Sequence, residues 1–194
     1  WVQHQKLLAF DGMAGDAFGV SVAIEIDHLI VGVTGDDDIG SGTGSAYLYA
    51  RNNRGTSLIT DDVWEFQTKF HASDGLTGDN FGCSVALSRD SSGTQAFTVV
   101  VGAYNKGNTG GGSLNGPGAA YVHRFNGSTW DPERKLVAFD AAPMDWFGNS
   151  VSVYDGVIAV GAWSDDNVTG INSVSTYVFH RNGTDWPLKQ KIAP

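Results

Sequence analysis

Apolar and polar positions alternate in short runs along the whole chain. Val20, Val22, Ile24 and Ile26 fall on one side of a two-residue period, with Ser21 and Ala23 on the other. That is the pattern of a pleated strand. Such runs occupy residues 18–26, 29–34, 45–51 and 64–72, then 81–88, 96–104, 119–125 and 130–138, then 147–154, 157–162, 173–181 and 186–193. Gly, Asn and Asp separate them, the residues that tight turns require. No window of helical length shows a 3.6-residue period. The pattern predicts an all-β chain of twelve short strands.

The runs come in three similar sets. Asp11-Gly-Met-Ala-Gly-Asp16-Ala-Phe18-Gly19-Val-Ser21 returns as Asp74-Gly-Leu-Thr-Gly-Asp79-Asn-Phe81-Gly82-Cys-Ser84, and again as Asp140-Ala-Ala-Pro-Met-Asp145-Trp-Phe147-Gly148-Asn-Ser150. A repeating unit of this length cannot bury its own apolar faces and stacks on its neighbours. Four antiparallel strands per unit match the blades of a β-propeller, whose small sheets pack face to face. The predicted units are residues 11–72, 73–138 and 139–194, within a single repeat domain. Residues 1–10 remain as an orphan outer strand, because Trp1 to Ala9 aligns with the fourth strand at 64–72. Three blades are too few to close a ring. The missing blades belong either to a longer chain or to other copies of this one, joined through open blade edges.

Composition narrows the function. With 12 basic against 21 acidic residues, the net charge of −9 argues against a nucleic-acid partner. The apolar runs are too short for a membrane span, and the start at Trp1 reads as a processed protein or a piece of a longer one. Cys83 is the single cysteine and reads as a packed thiol. Asn126, Asn167 and Asn182 open Asn-x-Ser/Thr triplets, which point to N-glycosylation and an extracellular, secreted or cell-surface location.

Phe-Gly-x-Ser-Val at Phe18, Phe81 and Phe147 is followed by Val31-Gly32-Val33, Val101-Gly102-Ala103 and Val160-Gly161-Ala162. Ser45-Ala46-Tyr47-Leu48-Tyr49 and Ala119-Ala120-Tyr121-Val122 fill the third strands. Over essentially its whole length the chain resembles the FG-GAP repeat, which builds the β-propeller head of integrin α subunits and many secreted bacterial and algal proteins. The resemblance implies a binding or adhesive extracellular module. Integrin-type repeats carry an Asp-x-Asp-x-Asp-Gly calcium loop, but here that place holds Glu25-Ile-Asp27-His28, Ser88-Arg-Asp90-Ser-Ser-Gly93 and Tyr154-Asp155-Gly156. Those loops are poor in oxygen ligands for calcium, so the simpler branch of the family fits better.

In a propeller, the loops joining strands two to three and four to one emerge on one face. Here they hold Asp11, Asp16, Asp36, Asp37, Asp38, Asp74, Asp79, Asp140, Asp145, Asp165 and Asp166, with Lys106 as the one basic residue. That face is expected to be strongly negative. The spaced pairs (11/16, 74/79, 140/145) read as turn caps. Asp36, Asp37, Asp38, Asp165 and Asp166 read as solvated loop residues, with Ca²⁺ or a cationic partner as the sharper alternative.

No Gly-x-Ser-x-Gly elbow, His-Glu-x-x-His pair or phosphate-binding glycine loop occurs, and Gly110-Gly111-Gly112 reads as a loop. His123 and His180 read as sheet residues. Trp1, Trp64, Trp130 and Trp186 open the fourth strands and are expected between blades, whereas Trp146 and Trp163 fall in the acidic-face loops. An exposed Trp there would serve a glycan or an extracellular protein partner. The leading expectation is a non-enzymatic extracellular segment with a structural or adhesive role and no certain cofactor. A lectin-like module and the non-catalytic propeller of a larger secreted hydrolase are the alternatives.

Overall fold

A computed structural model of the chain describes residues 3–56, 61–91, 95–108, 113–166 and 173–194. Trp1, Gly110, Gly111, Gly112 and Asn167, singled out above, lie outside them. The described residues form twelve strands and no helix. The first sheet contains β1 (Phe18–Glu25), β2 (His28–Val33), β3 (Ser45–Asn52) and β4 (Val63–Phe70). The second contains β5 (Phe81–Arg89), β6 (Phe97–Ala103), β7 (Ala119–Phe125) and β8 (Arg134–Leu136). The third contains β9 (Phe147–Tyr154), β10 (Val157–Ala162), β11 (Ser175–His180) and β12 (Leu188–Ile192). Each is an antiparallel meander in sequence order. These are three propeller-type blades that do not close a ring.

The strands agree with the hydrophobic pattern except at the fourth position. β8 covers three residues of the run predicted over 130–138, and β12 five of the run over 186–193. Pro132 and Pro187 explain the late starts, since proline gives a ladder no N–H donor.

Side chains on alternate sides of each blade give it two faces. The face turned to the preceding blade is called leading here, and the other trailing. Ile30, Ala46, Leu48 and Phe70 on the trailing face of blade one are buried against Val85, Leu87, Val99 and Val101 on the leading face of blade two. Val100, Val122 and Leu136 repeat the arrangement against Val153, Ile158 and Val160 of blade three. Each of these Val, Leu, Ile and Phe side chains contributes about 1.5–3 kcal/mol on burial.

The Phe-Gly pair sets the spacing between blades. In β1 and β5 it bulges out of register with the second strand, between Phe18 and Ser21 and between Phe81 and Ser84. Gly19, Gly82 and Gly148 have φ of 91°, 93° and 88°, a region that glycine adopts without strain. The bulge carries the Gly82 carbonyl onto Gly32, where a Cβ would lie 2.0 Å from the oxygen, and the Gly148 carbonyl onto Gly102, where it would lie 1.9 Å away. Glycine at 32 and 102 is therefore a condition of blade contact.

The orphan strand is corrected by the structure. Residues 3–9 belong to no sheet, because a strand needs a ladder partner and none of the described residues supplies one. The segment nevertheless lies over the leading face of blade one. Leu7 and Ala9 pack on the cluster of Val31, Val33, Tyr47 and Tyr49, and the Gln5 side chain donates to the Trp64 carbonyl at 3.2 Å and accepts its N–H at 2.8 Å. In the alignment Leu7 and Ala9 stand for Phe70 and Ala72 of β4, which make the same kind of contact with blade two.

Candidate functional site

One polar arrangement recurs on the acidic-loop side of every blade. A tyrosine of the third strand donates its hydroxyl to the first aspartate of the blade: Tyr47 to Asp11 at 2.5 Å, Tyr121 to Asp74 at 2.6 Å and Tyr177 to Asp140 at 2.6 Å. A lysine of the fourth strand donates to the same carboxylate: Lys69 at 2.9 Å, Lys135 at 2.7 Å and Lys191 at 2.6 Å. Burial raises the three tyrosine pKa values, and the carboxylate that each one faces raises them further. Burial also works against ionised Asp11 and Asp140, yet the Lys and Tyr donors outweigh it and hold both below the ordinary carboxylate value. Asp74 falls to about 2 by the same balance.

The aspartate pairs therefore divide their roles rather than both capping turns. Only the second member caps: Asp16, Asp79 and Asp145 accept the backbone N–H three residues earlier at 2.6, 2.7 and 2.6 Å. The first member holds Tyr and Lys. The acidic face is correspondingly less bare than the loop composition implies, because Lys69, Lys135 and Lys191 enter it from strands.

The two acidic runs do not converge on a common point. Lys69 Nζ lies 2.6 Å from Asp36 and 2.5 Å from Asp38, so an ammonium stands between those carboxylates. Asp36 is buried and also accepts the Ser45 hydroxyl at 2.7 Å, whereas Asp37 is exposed. Asp165 is buried against Lys191 at 2.7 Å, and Asp166 is exposed. Burial raises the Asp145 pKa, with Asp165 and Asp166 adding to the rise. Blade two places Lys106 where the others have Asp36 and Asp165, and this lysine bonds Asp79 at 2.8 Å. Among the described residues no three His, Cys, Asp or Glu side chains are disposed to hold a metal ion. Nor, among them, is any helix long and apolar enough to cross a membrane.

Trp146 and Trp163, by contrast, are brought together. Their rings stack with centroids 5.3 Å apart and planes 10° from parallel. Trp146 is half-buried: its indole N–H donates to the Leu114 carbonyl at 3.3 Å, and Tyr104 meets it edge-on. It has φ of 54°, like Ala17 and Asn80 at the same place in the other blades. Trp163 is 61% exposed. Met144 and Val174 extend the apolar patch around the pair.

The remaining singled-out residues are structural or peripheral. Phe18, Phe81 and Phe147 meet Tyr47, Tyr121 and Tyr177 edge-on or tilted at 5.6, 5.4 and 5.2 Å. Trp130 lies against Phe70 and Phe97 between blades one and two, and Trp186 is buried against blade three's core. His123 is buried, stacked on Phe70 at 4.5 Å, and burial lowers its pKa to about 4. Burial pushes the Cys83 thiol up to about 11, which makes it a poor nucleophile. Asn126 and Asn182 are both exposed in turns.

The lysines of the Tyr-Asp-Lys network escaped the reading of the sequence, although a signal existed. Lys6, Lys69 and Lys135 each stand five residues ahead of Asp11, Asp74 and Asp140, as regular as the Phe-Gly pair. Trp146 and Trp163 were visible as departures from the repeat, but their contact was not.

A family model for the FG-GAP repeat matches residues 1–49, 64–123 and 130–179. A comparison with curated proteins found no match. Repeat matches over most of the chain, three four-stranded blades and a Phe-Gly bulge packed on the preceding blade agree: the chain belongs to the FG-GAP repeat family.

Proposed function

We propose that the chain is a non-enzymatic, extracellular β-propeller module with a structural and adhesive role, assembling through the leading face of its first blade. The observation that carries this reading is the bare apolar row on β1 and its turn. Val20, Val22, Ile24 and Ile26 are 53%, 63%, 62% and 61% exposed. The counterparts of Val22 and Ile24, Val85 and Leu87, are buried against a neighbouring blade. An apolar row of this extent in water marks an interaction surface. Residues 3–9 beside it cover only the outer part of the face, in the place of a fourth strand. The partner is another FG-GAP sheet, from further blades or a second copy.

The non-enzymatic reading is supported by the use of the buried carboxylates, which are committed to Tyr, Lys, Arg and turn amides. The extracellular reading is supported by Asn126 and Asn182, which stand exposed in turns.

Light scattering on the 194-residue protein over a range of concentrations tests the association. Reversible association that Ile24→Asp abolishes is the expected result. A monodisperse 20.6 kDa species with two-state unfolding, at every concentration, overturns it.

A further inference from the structure

We propose that the trailing side of blade three carries a binding site for a neutral sugar ring, with Trp163 as its platform. A concavity there is lined by Asn149, Ser150, Trp163, Val174, Ser175 and Thr176, with Gly161 at its base. It occupies the place where each earlier blade receives the Phe-Gly bulge of the next.

The earlier blades show what this place holds when filled. The Ser21 hydroxyl donates to the Gly82 carbonyl at 2.7 Å, and the Ser84 hydroxyl to the Gly148 carbonyl at 2.8 Å. Ser150 is their counterpart and has no protein partner for its hydroxyl among the described residues. Beside it Thr176, paired with Gly161, stands half-buried on the same face, whereas Ser175 shares the opposite face with Tyr177. A hydroxyl that is bonded across the boundary in the earlier blades is thus open here to a ligand's polar group.

Blade three has also changed so that a further blade no longer fits in the same way. The glycines at 44 and 118 let a phenylalanine carbonyl approach so closely that a Cβ would lie 2.0 and 2.1 Å from the oxygen. The strand register puts Val174 at that position in blade three. The surrounding face is less apolar too. Ser152 stands for Ala23 and Ala86, Ala159 for Ile30 and Val100, and Thr176 for Ala46 and Ala120. Hydroxyls line a surface whose counterparts are sealed by hydrocarbon.

The chemistry of the lining selects the ligand. It holds hydroxyl and amide groups but no ionisable side chain, so it offers a phosphate or carboxylate no counter-charge. Thr34 and Tyr104 of the other blades give way to Trp163, whose ring is braced by Trp146 and open to solvent. A pyranose matches this pairing, with an apolar C–H face for the indole and a rim of hydroxyls for Ser150, Thr176 and Asn149.

The site lies on the opposite side of the molecule from the bare row on β1, and the two readings fail separately. The test uses an array of neutral pyranose glycans, then titration of methyl glycosides of the responding sugars followed by tryptophan fluorescence. Saturable binding is expected, weakened at least tenfold by Trp163→Ala and at least threefold by Ser150→Ala, with the thermal midpoint of both variants unchanged. Ile24→Asp should leave it intact. A synthetic peptide of residues 16–22, carrying the Phe-Gly turn, is the second probe and is expected not to compete. Failure of every glycan to bind, binding indifferent to both substitutions, or displacement by the peptide overturns the proposal.

Discussion

The hydroxyl of Ser84 reaches across the blade boundary to the Gly148 carbonyl at 2.8 Å. Both groups hang on a gap that exists because residue 102 has no side chain. A Cβ at 102 would stand 1.9 Å from that carbonyl, a backbone atom that cannot yield without moving the blade. At Gly161 the close neighbour is the Ser150 hydroxyl, at 2.3 Å, a group that can rotate away.

Gly102→Ala is therefore expected to cost about 3 kcal/mol or more, while Gly161→Ala costs about 1 kcal/mol or less. Urea denaturation of the two variants in parallel checks this. Equal losses would mean that the blade boundary is not set by the missing side chain.

Lys69 holds three carboxylates, Asp11, Asp36 and Asp38, and its side chain is 11% exposed. Lys69→Met leaves them without a counter-charge and is expected to cost about 3–5 kcal/mol. The same variant opens a space among acidic oxygens that suits a hard cation. Millimolar Ca²⁺ should raise its melting temperature more than that of the wild type. A melting temperature indifferent to both the substitution and the ion would show that the network contributes nothing.

His123 gives the fold a mildly acidic weakness. Above about pH 6.5 the imidazole is neutral in both folded and unfolded chains, and no pH dependence arises from it. Below that value the unfolded chain takes up a proton that the buried ring resists until about pH 4. Stability should thus fall by about 3 kcal/mol between those limits and then level off in this contribution. Phe179 fills the matching position in blade three, so His123→Phe should remove the slope. Chemical denaturation from pH 7.5 to 4.5 measures it. A second loss follows at lower pH, where Asp11, Asp36, Asp74 and Asp140 have depressed pKa values: their stabilisation is complete above the unfolded value near 3.8 and declines as they protonate.

Asn126 and Asn182 separate a sequon with a structural duty from one without it. The Asn126 carbonyl accepts the N–H groups of Ser128 and Thr129, each at 3.1 Å, and its amide donates to Thr129 and Asp131. Asn126→Gln should cost about 1 kcal/mol, and Asn182→Gln should be neutral. In protein secreted from a eukaryotic host, peptide mapping is expected to find glycan on Asn182. Unmodified Asn182 in that material would count against the extracellular assignment.

Much of this architecture is written in short-range pattern. Period-two alternation locates the strands because each blade is covered on at least one side, and the Phe-Gly pair marks the bulge because glycine alone takes φ near 90° cheaply. Residues 1–9 carry the same alternation, yet 3–9 form no strand, since pairing depends on a neighbour that the pattern does not supply. The Tyr-Asp-Lys network was hidden for a different reason: its ion pairs join residues 58, 61 and 51 positions apart, where no local period connects them. Trp146 and Trp163 could be picked out as exceptions to the repeat. Their stacking depends on where two separate loops meet, and that is a property of the folded blade.

Val174 has a further consequence. A protein with one sticky side and one matching socket at its far end would add copies head to tail without limit, giving a fibre unless the curvature happened to bring the ends together. A valine where the socket needs a glycine breaks that chain of addition at its first step. On the association proposed above, copies would meet through their bare sides as a closed pair, and one methyl-bearing carbon would keep that surface from becoming an aggregation hazard.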